Sequence, residues 1–392
     1  MPRFDTLVLS MGPYKFATRT RKASRSYLGI GSVGFLSLAG VGRTGKFDRP
    51  GRWVVDGVSV KQVPVRTPNL SPSTRTALTN LILGYLPGFV RMGRAVMRTR
   101  AERVHVTGVP LFPLALLHHF AFRSQIVVDV NERPASVAAS GSLFGLVSRL
   151  EPALLRLMAR RASLTMAVAQ GHKAILENTY RFTNVLVVRN SPLANWRATY
   201  VEAPISAPLR VVTVGTLFEG RGFEMLLEAL SLTQSQGAEL AVEIYGGGRP
   251  NYEASLRRLA LELAVEDAVT FHGRIDGAEV SAAYLSGHIG LALYEAGDAG
   301  NDSLSNKMLE CVSSGRPVLA GDLPENRRFI ESYDVGWLTE VSATAIAASL
   351  TRIACEGTMP ALTHRCRALG DAELTWEAEF GPVLDRCNGP GD

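Results

Sequence analysis

The 392-residue sequence predicts an α/β protein of two doubly wound, Rossmann-like domains of similar size facing each other across a cleft. Three observations predict it. The length suits two domains of about 200 residues each. Short, continuous apolar runs alternate with helical patterns twice over, as in parallel sheets covered on both faces. The segment Ala203–Pro208, with two prolines and small residues, separates the two series as a linker. Hydrophobic residues at 46% and charged residues at 20% support sizeable cores and exclude a disordered chain.

In the first series, Thr6–Ser10 and Val33–Leu38 read as strands, and Trp53–Val65 as an extended pair with a turn. Arg19–Leu28 reads as a basic helix, and Leu78–Arg100 as a long helical stretch broken at Pro87. Val104–Val106 and Ile126–Val130 are short β-branched strands. Helix Leu143–Ala162, strand Leu164–Val168, helix Gly171–Asn178 and strand Val185–Val188 follow. In the second series, strand Leu209–Val214 leads to helix Gly222–Gln234, strand Ala241–Tyr245, helix Tyr252–Leu263, strand Val269–His272 and helix Gly277–Ser286. Ile289–Leu293, Pro317–Ala320 and Gly336–Leu338 are further strands, and the tail Leu374–Cys387 is helical. The expected domains are 1–200 and 201–373, with 374–392 as a final helix.

The bulk composition narrows the function. The N-terminus lacks the apolar core and cleavage site of a signal peptide. No uncharged apolar run reaches the ~20 residues of a membrane-spanning helix. Cys311, Cys355, Cys366 and Cys387 form no Cys-x-x-Cys pair, and they read as reduced, buried thiols of a cytosolic protein. Residues 1–200 hold 28 Lys+Arg and 8 Asp+Glu, or +20, whereas residues 201–392 hold 14 and 28, or −14. Halves so unlike in charge are expected to meet different partners.

Two stretches carry the chemistry. In Val211–Ala229 a buried strand ends at Gly215, a short loop bears Arg221 and Gly222, and an amphipathic helix begins. The glycines admit close approach of a ligand, the helix N-terminus offers free N–H groups, and Arg221 offers a fork suited to a diphosphate. The competing reading is an ordinary strand–helix turn with a surface arginine. In Asn301–Ala320, Ser305 is a candidate N-cap of a helix running to Ser314, and Gly315 can end it. Asp302 precedes that helix, where a carboxylate can accept from sugar hydroxyls. Glu310 lies eight residues on and can take both hydroxyls of a ribose, while Lys307 can neutralise phosphate. The competing reading makes all three solvated surface residues.

These stretches resemble the C-terminal domain of the retaining, nucleotide-sugar-dependent glycosyltransferases of family four (glycosyl transferases group 1), which have the GT-B fold. The family pattern of two acidic residues flanking seven others, then a small-residue helix and Gly-x-Pro, reads here as Asp302 to Glu310 and Ser-Ser-Gly-Arg-Pro-Val-Leu-Ala320. Asn306-Lys307 and Asp322-Leu-Pro-Glu325 resemble a bacterial polysaccharide branch. Ile244-Tyr-Gly-Gly-Gly248, Val269-Thr-Phe-His-Gly273, Gly336-Trp-Leu338 and Thr375-Trp376-Glu377 fall in the family's order. The likeness is specific from about Val211 to Glu340 and weaker in the first half. Four positions depart from the pattern. Asp302 replaces a glutamate, Thr216 replaces a diphosphate-binding arginine, Arg221 stands where the family usually has a lysine and keeps its charge, and Asn131 stands where the family often has a histidine.

The resemblance implies a hexosyltransferase-type enzyme working with retention, front-face attack, a leaving-group oxygen as base, and closure of the two domains over the substrates. It implies Arg221, Asp302 and Glu310 as the catalytic set. It gives the donor Gly215, Thr216, Arg221, Gly246, Gly247, Arg274, Ser303, Leu304, Ser305, Asn306, Lys307 and Glu310. It puts Gly12, His105, Asn131 and Glu132 on the acceptor side, and the last helix back on the N-terminal domain. No metal or cofactor is expected, since neither an Asp-x-Asp motif nor a ligand cluster occurs. The co-substrate is a nucleoside diphosphate sugar, a UDP-sugar ahead of a GDP-sugar.

The basic half suggests the acceptor. Leu78–Arg103 mixes apolar and aromatic residues with Arg91, Arg94, Arg98, Arg100 and Arg103, and Arg19, Arg21, Lys22 and Arg25 form a second basic cluster. Such a surface suits an anionic membrane. The expectation is a cytoplasmic enzyme, peripheral on the inner face of the plasma membrane, acting on a lipid-linked or polysaccharide-precursor acceptor. The competing reading of these clusters is a solvated basic face over a core helix. Other readings stay open: a soluble enzyme with a small natural-product acceptor, a sugar-nucleotide epimerase, or a catalytically weak paralogue. A nucleic-acid-binding protein is disfavoured, because no recognition motif appears and the acidic half would be repelled.

Overall fold

The computed structural model describes residues 1–15, 17–40, 49–65, 86–131, 143–202, 208–295 and 304–388. Its contacts divide the chain into two units, Met1–Val188 with Phe380–Asp392, and Arg189–Glu379.

In the first unit the apolar runs become β1 (Arg3–Ser10), β2 (Val33–Gly40), β3 (Gly51–Val55), β4 (Val58–Val65), β5 (Arg100–Thr107), β6 (Gln125–Asp129), β7 (Leu164–Ala167) and β8 (Val185–Val187). Their order is β3-β4-β2-β1-β5-β6-β7-β8. The pairings are parallel except for β3, which runs antiparallel to β4 across the Asp56–Gly57 turn. Leu7, Val8 and Leu9 of β1 are fully buried, as a strand with both faces covered requires. Winding reverses between β1 and β5, so the switch point of this sheet lies at their carboxyl ends.

The helices of this unit are α1 (Thr18–Tyr27), α2 (Leu86–Met97), α3 (Phe112–Phe122), α4 (Leu143–Ala159) and α5 (Gln170–Asn178). Val109–Phe122 is an apolar run interrupted by prolines and histidines, and its sequence alone assigns it no element. It forms α3, because Pro113 sits in the first turn, where its missing N–H costs nothing, and Arg123 closes the helix with φ 57°. Residues 78–85 of the expected long helix lie outside the described residues; α2 carries 86–97, and the helix stops there because Arg100, expected to be helical, opens β5 in the sheet.

The second unit holds β9 (Leu209–Val214), α6 (Phe223–Ser235), β10 (Leu240–Tyr245), α7 (Pro250–Glu262), β11 (Val269–Gly273), α8 (Val280–Leu285), β12 (Ile289–Ala292), α9 (Asn306–Ser313), β13 (Val318–Gly321) and α10 (Pro324–Tyr333). It continues with β14 (Gly336–Thr339), α11 (Ala343–Cys355) and α12 (Met359–Ala372). The sheet order β11-β10-β9-β12-β13-β14 is parallel throughout and is that of dinucleotide-binding folds. Its switch point lies between β9 and β12. The sequence did not assign α10, α11 and α12. Their buried faces (Phe329 and Ile330; Ile346 and Leu350; Leu362 and Cys366) fill the two cores of this unit.

Residues 189–202 belong with the second unit, although the sequence placed 189–200 with the first domain. Arg197 donates from Nε to the Ser313 carbonyl and from Nη1 to Asp371. The Tyr200 ring lies under the Arg367 guanidinium at 3.9 Å, and its hydroxyl accepts from Arg316. The last helix, α13 (Trp376–Asn388), spans the division. Within the first unit, Phe380 packs edge-on to Tyr27 at 5.3 Å, and the Cys387 carbonyl accepts from Arg103. All four cysteines are free thiols. Cys311 and Cys366 are buried as expected, but Cys355 is exposed and Cys387 is half-buried.

Candidate active site

The second unit concentrates its charge at the switch point. β9 ends at Val214, and Gly215 follows with φ +145°, a conformation open to glycine. Space at Gly215 is tight. A Cβ there would meet Lys307 Cε at 3.0 Å, Arg221 Nη1 at 3.9 Å and Lys307 Nζ at 4.0 Å. Two cations from distant segments thus converge on one backbone position.

Their partners are neutral. Lys307, in the first turn of α9, is 3% exposed and donates to Thr213 Oγ1 at 3.1 Å. Burial, with Arg221 adding repulsion and Glu310 opposing it, pushes its pKa down to about 7. Arg221 donates to the Tyr294 hydroxyl at 3.4 Å and lies 3.9 Å over the Phe218 ring. Its buried Nε has no hydrogen-bond partner among the described residues, nor does the buried Ser305 hydroxyl. Ser305 occupies the N-cap position of α9, yet its side chain does not cap the helix. Two crowded cations, an orphan hydroxyl and a helix N-terminus at the carboxyl edge of a sheet make a set of donors suited in chemistry to a multiply charged anion.

The glycine loop after β10 has another task. A Cβ at Gly246 would lie 1.8 Å from the Gly215 carbonyl oxygen, with φ +139°. The loops at 215–217 and 246–248 are pressed backbone to backbone, and Leu217 N–H donates to Gly247 O at 3.3 Å. Gly246 therefore builds the floor under Gly215. Gly247 lies under the Arg274 side chain, whose Cγ would come within 2.9 Å of an added Cβ.

The remaining donor-side residues take definite places. Thr216 is exposed, Leu304 packs against the core at the edge of α9, and Asn306 is its exposed first residue. Glu310 is half-buried on α9, one turn beyond Lys307. Asp302 and Ser303 lie outside the described residues. The sequence missed Thr213, Phe218 and Tyr294, which hold the two cations in place. Tyr294 lies two residues beyond the end of β12, so the strand order, had it been known, would have pointed to it.

The first unit has its own polar cluster at the carboxyl edge of its sheet. Arg19 Nε donates to both oxygens of Asp129 at 3.1 and 3.0 Å. Both residues are buried, at 7% and 0% exposure. His105 is fully buried beside them, with Nδ1 3.2 Å from the Tyr27 hydroxyl and Nε2 3.4 Å from Thr107 Oγ1. Gly12 has open space around it, Asn131 is half-buried, and Glu132 lies outside the described residues. This cluster corrects the basic-surface reading of α1. Arg19 and Lys22 point into the unit, and only Arg25 of the four basic residues is well exposed. Arg103 is likewise buried.

Burial pushes the His105 pKa down to about 4, and the attraction of Asp129 does not offset it. An unfolded histidine titrates near 6.5, so as pH falls the unfolded chain takes the proton first. Stability is then lost from about pH 6.5 down to about 4, by up to about 3 kcal/mol. His105→Gln should flatten that part of the urea-midpoint profile. A wild-type slope that survives the substitution would assign the acid sensitivity elsewhere.

Among the described residues, no group of three His, Cys, Asp or Glu could hold a metal ion. No helix there is long and apolar enough to cross a membrane.

Residues 208–356 match the family model described as glycosyl transferases group 1. A putative colanic acid biosynthesis glycosyltransferase, WcaL of Salmonella typhimurium, is 29% identical over 155 residues, covering 38% of this chain and 37% of the relative. The amylovoran biosynthesis glycosyltransferase AmsK of Erwinia amylovora is 28% identical over 148 residues, 37% of this chain and 36% of the relative. The matches thus span well under half the length of these curated relatives. The fold extends much further. Sucrose-phosphate synthase of Thermosynechococcus elongatus superposes with a TM-score of 0.72 at 16% identity, covering 98% of this chain and 99% of that one. Anabaena HepE, solved with UDP and glucose, gives 0.72 at 13% identity over 99% and 100%. The fold is that of the GT-B glycosyltransferase structures.

Proposed function

We propose that this chain is a glycosyltransferase that moves a sugar, with retention, from a nucleoside diphosphate sugar to an acceptor hydroxyl. One observation carries the reading. Lys307 and Arg221 converge on Gly215, hydrogen-bonded to hydroxyls and set against aromatic rings, at the switch point of the unit that contains the family-model match. The dianionic diphosphate is the ligand that this pair fits, and Lys307 takes over the charge lost where the family's arginine is Thr216. The Ser305 hydroxyl and the N-terminus of α9 would donate to the same group. Glu310 would accept from the two ribose hydroxyls, and Asp302 from the hydroxyls of the transferred sugar.

The reaction needs the diphosphate to leave with its growing charge stabilised. Fixed cations held ready for that charge supply the largest single term. Retention follows if a leaving-group oxygen takes the acceptor proton on the same face. The first unit would carry the acceptor, which the names of the colanic acid and amylovoran relatives suggest is a polysaccharide precursor. Its lipid-linked form would be met at a membrane surface. There α2 exposes Leu86 and Val90 beside Arg91 and Arg94, with Arg98 just past its end, the composition of an interfacial helix.

A thermal-shift panel of UDP-, GDP-, ADP- and dTDP-sugars tests the donor reading. A UDP-sugar should raise the midpoint of the wild type and not that of Arg221→Ala. No shift with any of the four would remove the donor site. The anomeric configuration of the product, read by NMR coupling constants, tests retention.

A further inference from the structure

We propose that an open cavity of about 800 Å³ at the amino-terminal edge of the first sheet seats the phosphate head of an anionic phospholipid, docking this unit on a membrane. The inference rests on the membrane part of the reading above and supplies its contact. The cavity opens where β1, β5 and β6 begin, the edge opposite Asp129 and Thr107. Arg3, Arg100, Arg103 and Arg123 line it, against a single carboxylate, Glu102, which Arg3 engages at 3.0 Å.

The geometry separates head from tail. Arg103 is 8% exposed and anchored by Thr6 and the Cys387 carbonyl, yet its Nε meets no acceptor among the described residues. Its guanidinium is thus a fixed positive charge in the cavity wall. Arg100, in the lining, lies 5.8 Å over the Phe122 ring, and Arg161, outside it, lies 5.4 Å over the ring of the lining residue Phe120. Phe120, at 64% exposure, lines the cavity; outside its lining, Leu117 one turn earlier on α3 and Leu157 on α4 are exposed too. A soluble phosphate would use the arginines and leave these apolar side chains in water. A phospholipid uses both, with the head among the arginines and acyl chains against Phe120 and Leu117.

Co-sedimentation of the full chain with vesicles, without donor, tests this separately from sugar transfer. Wild type should favour mixed phosphatidylglycerol vesicles over pure phosphatidylcholine by about tenfold or more. Each basic residue near an anionic surface contributes about 1 kcal/mol, so Arg100→Glu with Arg123→Glu should weaken binding by roughly 30-fold or more. Arg257→Glu with Arg258→Glu, the same change of net charge on the second unit, should leave it intact. Phe120→Ser should weaken binding with no change of charge. Equal loss in the two double variants, or no vesicle preference in the wild type, would overturn the proposal. Inorganic phosphate raising the wild-type melting midpoint in a chain that ignores vesicles would overturn it too, and assign the cavity to a small anion. Arg100 and Arg123 are exposed, and circular dichroism checks that their variants fold.

Discussion

Arg221→Ala should lower kcat for sugar transfer by about a hundred- to a thousandfold, the loss typical of removing one preorganised donor to a developing anion. The geometry of Arg221 suits the proposed role, with Nη1 on the Tyr294 hydroxyl, the guanidinium over the Phe218 ring and a buried Nε with no hydrogen-bond partner among the described residues. Charge on the diphosphate grows as the glycosidic bond breaks, so the loss should fall on kcat more than on KM. Arg221→Lys keeps the charge but not the fork, and should recover only part of the rate. The melting midpoint should move little, since an exposed-to-half-buried stack on an aromatic ring contributes about 0.5–1 kcal/mol. Steady-state kinetics decide the matter. A variant with raised KM and unchanged kcat would make Arg221 a ground-state binder only.

Lys307→Met should weaken donor binding by about 10- to 100-fold while making the ligand-free protein more stable. The signs follow from the pKa near 7, well below that of a free lysine. Without ligand, the folded state disfavours the ammonium, and the unfolded chain binds more protons between about pH 7 and 10.5. The buried lysine thus costs stability at neutral pH, and an apolar side chain of similar length removes that cost. The diphosphate reverses the balance by favouring the ammonium. Donor affinity should be highest below pH 7 and fall as pH rises above it, by up to about tenfold per unit until the pKa of the complex is reached. Titration calorimetry from pH 6 to 9 reads both effects. A variant that binds donor like the wild type with the same pH profile would take Lys307 out of the site.

Both predictions rest on residues that differed in how far the sequence exposed them. Arg221 was legible because Gly215, the loop and the helix start lie within one short segment, and local spacing is what a sequence displays. Lys307 was legible as a candidate but not as the partner of Arg221. Its hydrogen bond to Thr213 joins positions 94 apart, and α9 reaches Gly215 only because β12 lies beside β9. The basic character of α1 misled for a similar reason. Arg19 reads as a surface charge until Asp129, 110 residues away, is placed beneath it. The helices α10 to α12 escaped notice because their buried residues serve cores defined by strands far off in the chain.

By itself the sequence determined two α/β series, the glycine-arginine turn after β9, the eight-residue interval from Asp302 to Glu310, and a chain basic in one half and acidic in the other. Those features depend on periodicity and spacing within about twenty residues, the range over which backbone geometry fixes side-chain direction. The tertiary structure alone decided which charges are buried, which pair, and which stand exposed. Electrostatic partners are set by strand order and helix packing, and desolvation then gives the same residue type opposite roles: Lys307 a cation disfavoured until a ligand arrives, Arg19 a buried clamp, Arg100 a charge left at the rim of an open cavity.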